Sequence, residues 1–127
     1  MSFKKIVLFL FLLLSFSMKA NFILLPMDEV SQKNHLKAYG ITYWCLDKSY
    51  KASWLLNYRG GSFLLPDAPE IRKECQIRGV SFEVLSDGEA NSILNEIASP
   101  SQNMENVVLE KAPKIAVYTP KGKKPWD

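Results

Sequence analysis

The chain has 127 residues, of which 47% are hydrophobic and 23% charged, with a formal net charge of +3. That length has room for one domain of ordinary composition. With one histidine, two cysteines and no Cys-x-x-Cys, it offers no convincing set of zinc ligands, so we expect neither a metal nor a cofactor.

The first twenty residues have the three-part pattern of a secretory signal peptide. Lys4 and Lys5 come first, an apolar run follows over residues 6–14, and small and polar residues end the segment at Ala20. The run is shorter than the ~20 residues that a membrane-spanning helix needs. We therefore expect export to the periplasm or the extracellular space, with residues 1–20 removed and no stable membrane insertion afterwards.

Net charge gives no indication of a polyanionic partner. Residues 1–20 carry three lysines and no acid, so their removal lowers the formal charge from +3 to zero. The basicity thus belongs to the targeting signal, and we expect no nucleic acid as a partner.

The elements after this segment predict the order β-α-β. The apolar run at residues 21–26 predicts a buried strand. Asp28 can cap a helix over residues 29–39, and Gly40 would end that helix in the left-handed conformation. Residues 41–46, ITYWCL, are β-branched and aromatic and predict a second strand. The apolar side of the helix would include Val30, Leu36 and Tyr39.

The loop NYRGGSF joins two apolar runs, residues 54–58 and 62–65. A glycine pair between such runs predicts a hairpin turn. The loop could also bind a ligand, because its backbone N–H groups could hold an oxyanion and its guanidinium a carboxylate. Since a Gly-x-Ser-x-Gly elbow is missing, we prefer the turn. The candidate ligand-binding residues are Arg59, Gly60, Gly61 and Ser62.

Two more helices and a strand follow. Asp67 and Pro69 open a helix that Gly79 ends, residues 80–86 predict a strand, and residues 88–98 predict a third helix. The succession of helices and strands predicts an α/β fold, with a small mixed or parallel sheet and flanking helices.

The remaining residues predict a domain boundary. Residues 99–113 are typical of a linker, and residues 114–120, KIAVYTP, predict a buried strand that a loop follows. We therefore expect an α/β domain at residues 21–98, and the first strand and loop of a second, incomplete α/β domain at residues 114–127. The missing part of its own chain would then be a partner.

The two cysteines, Cys45 and Cys75, would both reach an oxidising compartment, where a disulfide can persist. Cys45 falls in a predicted strand and Cys75 in a predicted helix, and the geometry between them decides whether they pair. The disulfide is therefore an open alternative.

Aromatic side chains could line a pocket for a sugar or a peptide, although core packing accounts for most of them. They are Trp44, Trp54, Trp126, Tyr39, Tyr43, Tyr50, Tyr58 and Tyr118.

Four stretches together resemble a bacterial family of exported proteins that commonly carry the name asparagine synthetase B. They are FILLPMDEVSQKNHLKAYGITYW, LLNYRGGSFLLPD, IRGVSFEVLSD and KAPKIAVYTPKGKKPWD. The resemblance covers essentially all of residues 21–127. It implies a longer protein, in which a region similar to glutamine-amidotransferase-like α/β domains follows this one.

The residues lack the catalytic parts that the family name implies. Glutamine-hydrolysing asparagine synthetases have a nucleophilic Cys after the initiator Met, where this chain has Ser2, and RGGSF does not match their Ser-Gly-Gly-x-Asp-Ser loop for ATP. We therefore expect an exported α/β scaffold or ligand-binding segment of a larger protein. The alternative is the N-terminal part of an amidotransferase-like enzyme, with catalytic Cys and His beyond residue 127, so whether the protein is an enzyme stays open.

Overall fold

The computed structural model describes residues 20–117. Apart from Ala20, the predicted signal peptide lies outside this range, as does the predicted loop at residues 121–127. No helix within the range is long and apolar enough to cross a membrane. The elements are β1 (Ala20–Leu25), α1 (His35–Asp47), β2 (Ala52–Leu56), β3 (Ser62–Pro66), α2 (Pro69–Arg78), β4 (Glu83–Ser86), α3 (Asp87–Ile97) and β5 (Glu105–Leu109).

The strands form one antiparallel sheet in the order β4-β1-β3-β2-β5. α1 joins β1 to β2 and α2 joins β3 to β4, with another strand between the members of each pair. This is the split βαβ arrangement of ferredoxin-like folds, with β5 added beside β2. The α/β class is confirmed. A mixed or parallel sheet is wrong, because β3 inserts between β1 and β2 and runs antiparallel to both.

Helices cover both faces of the sheet. Along β1, Ile23 and Leu25 face the core under α1 and α2, whereas Leu24 faces the smaller core under α3. This alternation follows from the two-residue repeat of a strand. All three side chains are at most 1% exposed, and each such burial contributes about 1.5–3 kcal/mol to folding. A strand buried on both faces is therefore at the centre of the domain.

α1 differs most from the sequence prediction. The Asp28 carboxylate does cap a turn, accepting a hydrogen bond of 2.9 Å from the Ser31 N–H. The helix begins only at His35, however, and continues through Gly40 to Asp47. Residues 35–39 of the predicted helix are helical, but its predicted start at residue 29, its predicted end at Gly40 and the strand predicted at residues 41–46 are wrong.

The burial pattern of α1 explains this correction. Val30 and Leu36, predicted on the apolar side, are 85% and 86% exposed. Residues at three- and four-residue spacing further along are buried instead, and this spacing places them on one face of a helix. Packing of that face overrides the strand propensity of the β-branched and aromatic residues. The buried residues are Ala38, Ile41, Thr42, Cys45 and Leu46.

Further along the chain, predictions from local turn and cap signals are confirmed, except that the N-cap of α2 is Ala68 and not Asp67. The hairpin of β2 and β3 forms, α2 begins at Pro69, and Gly79 follows it with a left-handed φ of +67°. α3 lies within one residue of its predicted bounds. Its cap is Ser86, which exchanges hydrogen bonds with Glu89 in a capping box.

The predictions after α3 need correction. β5 lies inside residues 99–113, the predicted linker, and pairs with β2 from Ala52↔Leu109 to Leu56↔Glu105. Residues 114–117, predicted as the start of a buried strand, are exposed and belong to no strand. Residues 118–120 of that prediction lie outside the range that the structure describes.

Candidate functional site

Arg59 fastens the β2–β3 hairpin loop to two other segments. Its guanidinium donates two hydrogen bonds of 2.9 Å to Glu83 at the start of β4. It donates two more, of 3.2 Å to the Asp28 carboxylate and of 3.0 Å to the Ser31 hydroxyl. Hydrogen bonding to Glu83 raises the pKa of Arg59 further above its ordinary value. Four of its five N–H groups are therefore engaged within the protein.

The other candidate residues of this loop also have contacts within the protein. Gly60 and Gly61 have φ of +80° and +88°, and a Cβ at Gly60 would lie 2.6 Å from the Met27 carbonyl oxygen. Ser62 is fully buried and donates its hydroxyl hydrogen bond to the Arg59 carbonyl oxygen at 3.1 Å. The predicted turn is confirmed, and ligand binding by Arg59, Gly60, Gly61 and Ser62 stays a prediction.

Cys45 and Cys75 lie in the core that α1 and α2 share, where both are fully buried with free thiols. Cys45 is in a helix, not in the predicted strand. Burial, and then the nearby Cys75, raise the pKa of Cys45 to about 12, and burial raises the pKa of Cys75 to about 11. Both thiols are therefore protonated and weakly nucleophilic near neutral pH. Their pairing under oxidising conditions stays a prediction.

A cleft of about 320 Å³ lies between α1 and the β2–β5 side of the sheet. Trp54 of β2 and Phe63 of β3 have nearly parallel rings, with centroids 6.2 Å apart. Tyr39 of α1 meets Phe63 edge-on at 5.6 Å, and Tyr43 lies one helical turn further on. We call this site the aromatic cleft; its main residues are Tyr39, Tyr43, Trp54, Phe63, Leu109 and Lys111.

Polar groups contribute little to the aromatic cleft. The Thr42 hydroxyl donates to the Ala38 carbonyl oxygen at 3.1 Å, and the Trp54 indole N–H donates to the Gly61 carbonyl oxygen at 3.2 Å. Lys111 is the charged residue of the lining, and no carboxylate among residues 20–117 lies within 4.0 Å of its ammonium group. The cleft lining is therefore almost entirely apolar, and Lys111 supplies a positive charge near it.

The other aromatic residues have different contacts. Trp44 packs against the core under α1 and α2, with the Lys48 ammonium 5.7 Å from its ring centroid. Tyr50 donates its hydroxyl hydrogen bond to Glu70, which raises the pKa of Tyr50. Tyr58 packs on the opposite face of the sheet. Of the aromatic residues considered in the sequence, Trp126 and Tyr118 lie outside the described range.

The sequence analysis named Tyr39, Tyr43 and Trp54 among the aromatic residues that could line a pocket, but it did not place the cleft, because α1 was predicted as a shorter helix and a strand. A usable signal was present. Tyr39, Thr42, Tyr43 and Leu46 have the spacing of one helical stripe, which combines the edge of the buried face with two half-exposed tyrosines. That stripe lines the cleft together with Leu109 from β5, a strand inside the predicted linker.

Within residues 20–117, no three His, Cys, Asp or Glu side chains lie close enough together to bind a metal ion. Comparison of the chain with family models, with curated proteins and with solved structures finds no match. A functional proposal therefore depends on the geometry described above.

Proposed function

We propose that the protein is an exported ligand-binding module of a larger protein, and that the aromatic cleft is its binding site. The observation that carries the proposal is a shallow, open and apolar volume of about 320 Å³ lined by four aromatic rings. Small-molecule sites have volumes of about 300 Å³ and more, and most of their lining is apolar. Tyr39 and Tyr43 are 48% and 46% exposed, so a ligand can remove apolar surface from water without any change in the core.

Export and a longer chain are supported by sequence. Residues 1–20 have the signal-peptide pattern, and residues 21–127 resemble the N-terminal segment of exported proteins that commonly carry the name asparagine synthetase B. In such a protein the module would present its ligand to the region that follows it.

Binding fits the described residues better than nucleophilic catalysis. Cys45, Cys75 and Ser62 are all fully buried, and burial keeps the two thiols protonated. A nucleophile needs an accessible side chain that a neighbouring base activates. Glutamine-dependent amide transfer by the full-length protein, abolished by one cysteine substitution beyond residue 127, would favour the amidotransferase-like alternative.

Ligand-observed NMR on the 127-residue chain tests the binding site. The probes are indole, phenol and methyl glucoside, and the variants are Tyr43→Ala in the cleft and Leu36→Ala as a matched control on α1. Leu36 is 86% exposed and lies outside the cleft lining. We expect indole to bind the wild type and Leu36→Ala, and to lose most of its binding in Tyr43→Ala. Absence of indole binding, or equal loss in both variants, would overturn the proposal.

Fractionation of the source cells, followed by intact-mass measurement, tests export. We expect the protein outside the cytoplasm. Its mass should fit a chain that begins at Asn21 and should exceed the mass of residues 21–127. A cytoplasmic protein that retains residues 1–20 would contradict export.

A further inference from the structure

We propose that the aromatic cleft takes a small planar aromatic molecule that carries a carboxylate, with the ring between Tyr43 and Trp54 and the carboxylate beside Lys111. This inference rests on the ligand-binding function proposed above and adds the chemical class of the ligand.

The rings of the cleft favour a flat ligand. Trp54 and Phe63 lie on paired neighbouring strands with an angle of 18° between their planes, and they form one wall. The ring plane of Tyr39 makes an angle of 78° with that of Phe63, so the two rings meet edge-on beside this wall. Aromatic rings pack well against other rings in both stacked and edge-on arrangements. A bicyclic ring fits a volume of about 320 Å³.

The hydrogen bonds of the cleft disfavour a sugar. The Thr42 hydroxyl and the Trp54 indole N–H both donate to backbone carbonyl oxygens of the protein. Neither donor is therefore free to bind a hydroxyl group of a sugar. A sugar hydroxyl that is buried without a hydrogen-bond partner costs free energy. An apolar ring has no such requirement.

The charge of the cleft favours an anion. The Glu110 carboxylate next in sequence to Lys111 pairs with Lys51 at 3.3 Å, and no described carboxylate neutralises Lys111. An anionic ligand beside Lys111 would therefore meet an ammonium group that has no carboxylate partner among residues 20–117, whereas a cation would be repelled by it. Because Lys111 is exposed, we expect a carboxylate to increase affinity by about two- to fivefold.

Chemical-shift titration of the 127-residue chain with three probes tests this inference. Indole-3-acetate is the anion, 3-methylindole the neutral analogue and tryptamine the cation. We expect affinity to fall in that order, and the advantage of the anion to shrink in about 1 M salt, where the Debye length is about 3 Å. Lys111→Met, which keeps an apolar stem, should remove the advantage of indole-3-acetate over 3-methylindole. Lys114→Met, an exposed position outside the lining, should keep it.

The outcomes separate this inference from the proposed function. If 3-methylindole binds as tightly as indole-3-acetate, in a manner that Tyr43→Ala abolishes, the binding site stands and the anionic class is wrong. If none of the three probes binds, both are wrong. If Lys111→Met keeps the full advantage of indole-3-acetate over 3-methylindole, the carboxylate does not bind beside Lys111 and the inference is wrong.

Discussion

Arg59 and Glu83 form a two-point contact, in which two hydrogen bonds of 2.9 Å join the guanidinium on the β2–β3 hairpin to the carboxylate at the start of β4. Glu83 lies opposite Leu24 of β1, and the same guanidinium binds Asp28 just after β1. One side chain thus ties the hairpin loop to the end of β1, an internal strand, and to β4, an edge strand. We call Arg59, Asp28, Ser31 and Glu83 the Arg59 cluster.

Replacing Arg59 should destabilise the fold. Arg59→Ala removes four hydrogen bonds, and because its carboxylate partners are partly exposed and can rehydrate, we expect a loss of about 1–2 kcal/mol in urea unfolding. Arg59→Lys keeps the charge without the planar fork and should recover part of that loss. Lys37→Ala, an exposed control on α1, should change stability by less than about 0.5 kcal/mol. An Arg59→Ala protein as stable as this control would show that the cluster contributes nothing.

The Arg59 cluster should also weaken in acid. Hydrogen bonding from Ser31, and then the charge of Arg59, lower the pKa of Asp28 below its ordinary 3.8. Because the folded-state pKa is the lower one, the contribution of Asp28 is present above pH 3.8 and is lost as the pH falls through the folded-state value.

Asp28→Asn tests this pH dependence. The variant should be less stable than the wild type at neutral pH, and the two unfolding free energies should converge as the pH falls through the lowered folded-state pKa of Asp28. Glu89, whose pKa the Ser86 N–H lowers, leaves some acid dependence in both proteins. Curves that stay parallel from neutral pH into acid would refute the role of Asp28.

Gly40 distinguishes the observed α1 from the helix that the sequence predicts, and Gly79, which follows α2, is a comparison with a true helix end. Gly40 lies inside α1, and a Cβ there would meet Arg78 Nη1 at an ordinary 3.6 Å. We therefore expect Gly40→Ala to stabilise the protein by about 0.5–1 kcal/mol. Gly79 has a φ of +67°, so Gly79→Ala should destabilise it by about 1 kcal/mol. Thermal unfolding of both variants gives the signs, and a destabilising Gly40→Ala would support a helix end at residue 40.

The buried thiols should resist alkylation in the native protein. Because burial raises the pKa values of Cys45 and Cys75 to about 12 and about 11, few thiolates exist at about pH 8.5 and none is accessible. Iodoacetamide should modify neither cysteine of the reduced folded protein and both after denaturation, as intact mass would show. Rapid modification of either native thiol would contradict this burial. The masses before and after reduction also report whether the pair is oxidised in protein from its source.

Local sequence signals predicted the elements that a few residues determine. Gly60 and Gly61 predicted the hairpin because the loop needs positive φ. Pro69 and Gly79 predicted the ends of α2, because the fixed φ of proline suits the first turn of a helix and glycine adopts the positive φ that follows the last turn. Strand pairing was not predictable in this way. The residues of β3 do not by themselves predict its position between β1 and β2, because strand order depends on which apolar faces can be buried together.

The sequence by itself determined the α/β composition, the hairpin, and the positions of α2 and α3, because glycine, proline and capping residues restrict the backbone within one turn. Tertiary structure decided the rest. Residues 41–46 are helical because Ile41, Cys45 and Leu46 are buried together from one helical face, a gain that exceeds their strand propensity. The aromatic cleft likewise exists only where α1 and β5 lie against the same sheet, since its rings come from segments that are far apart along the chain.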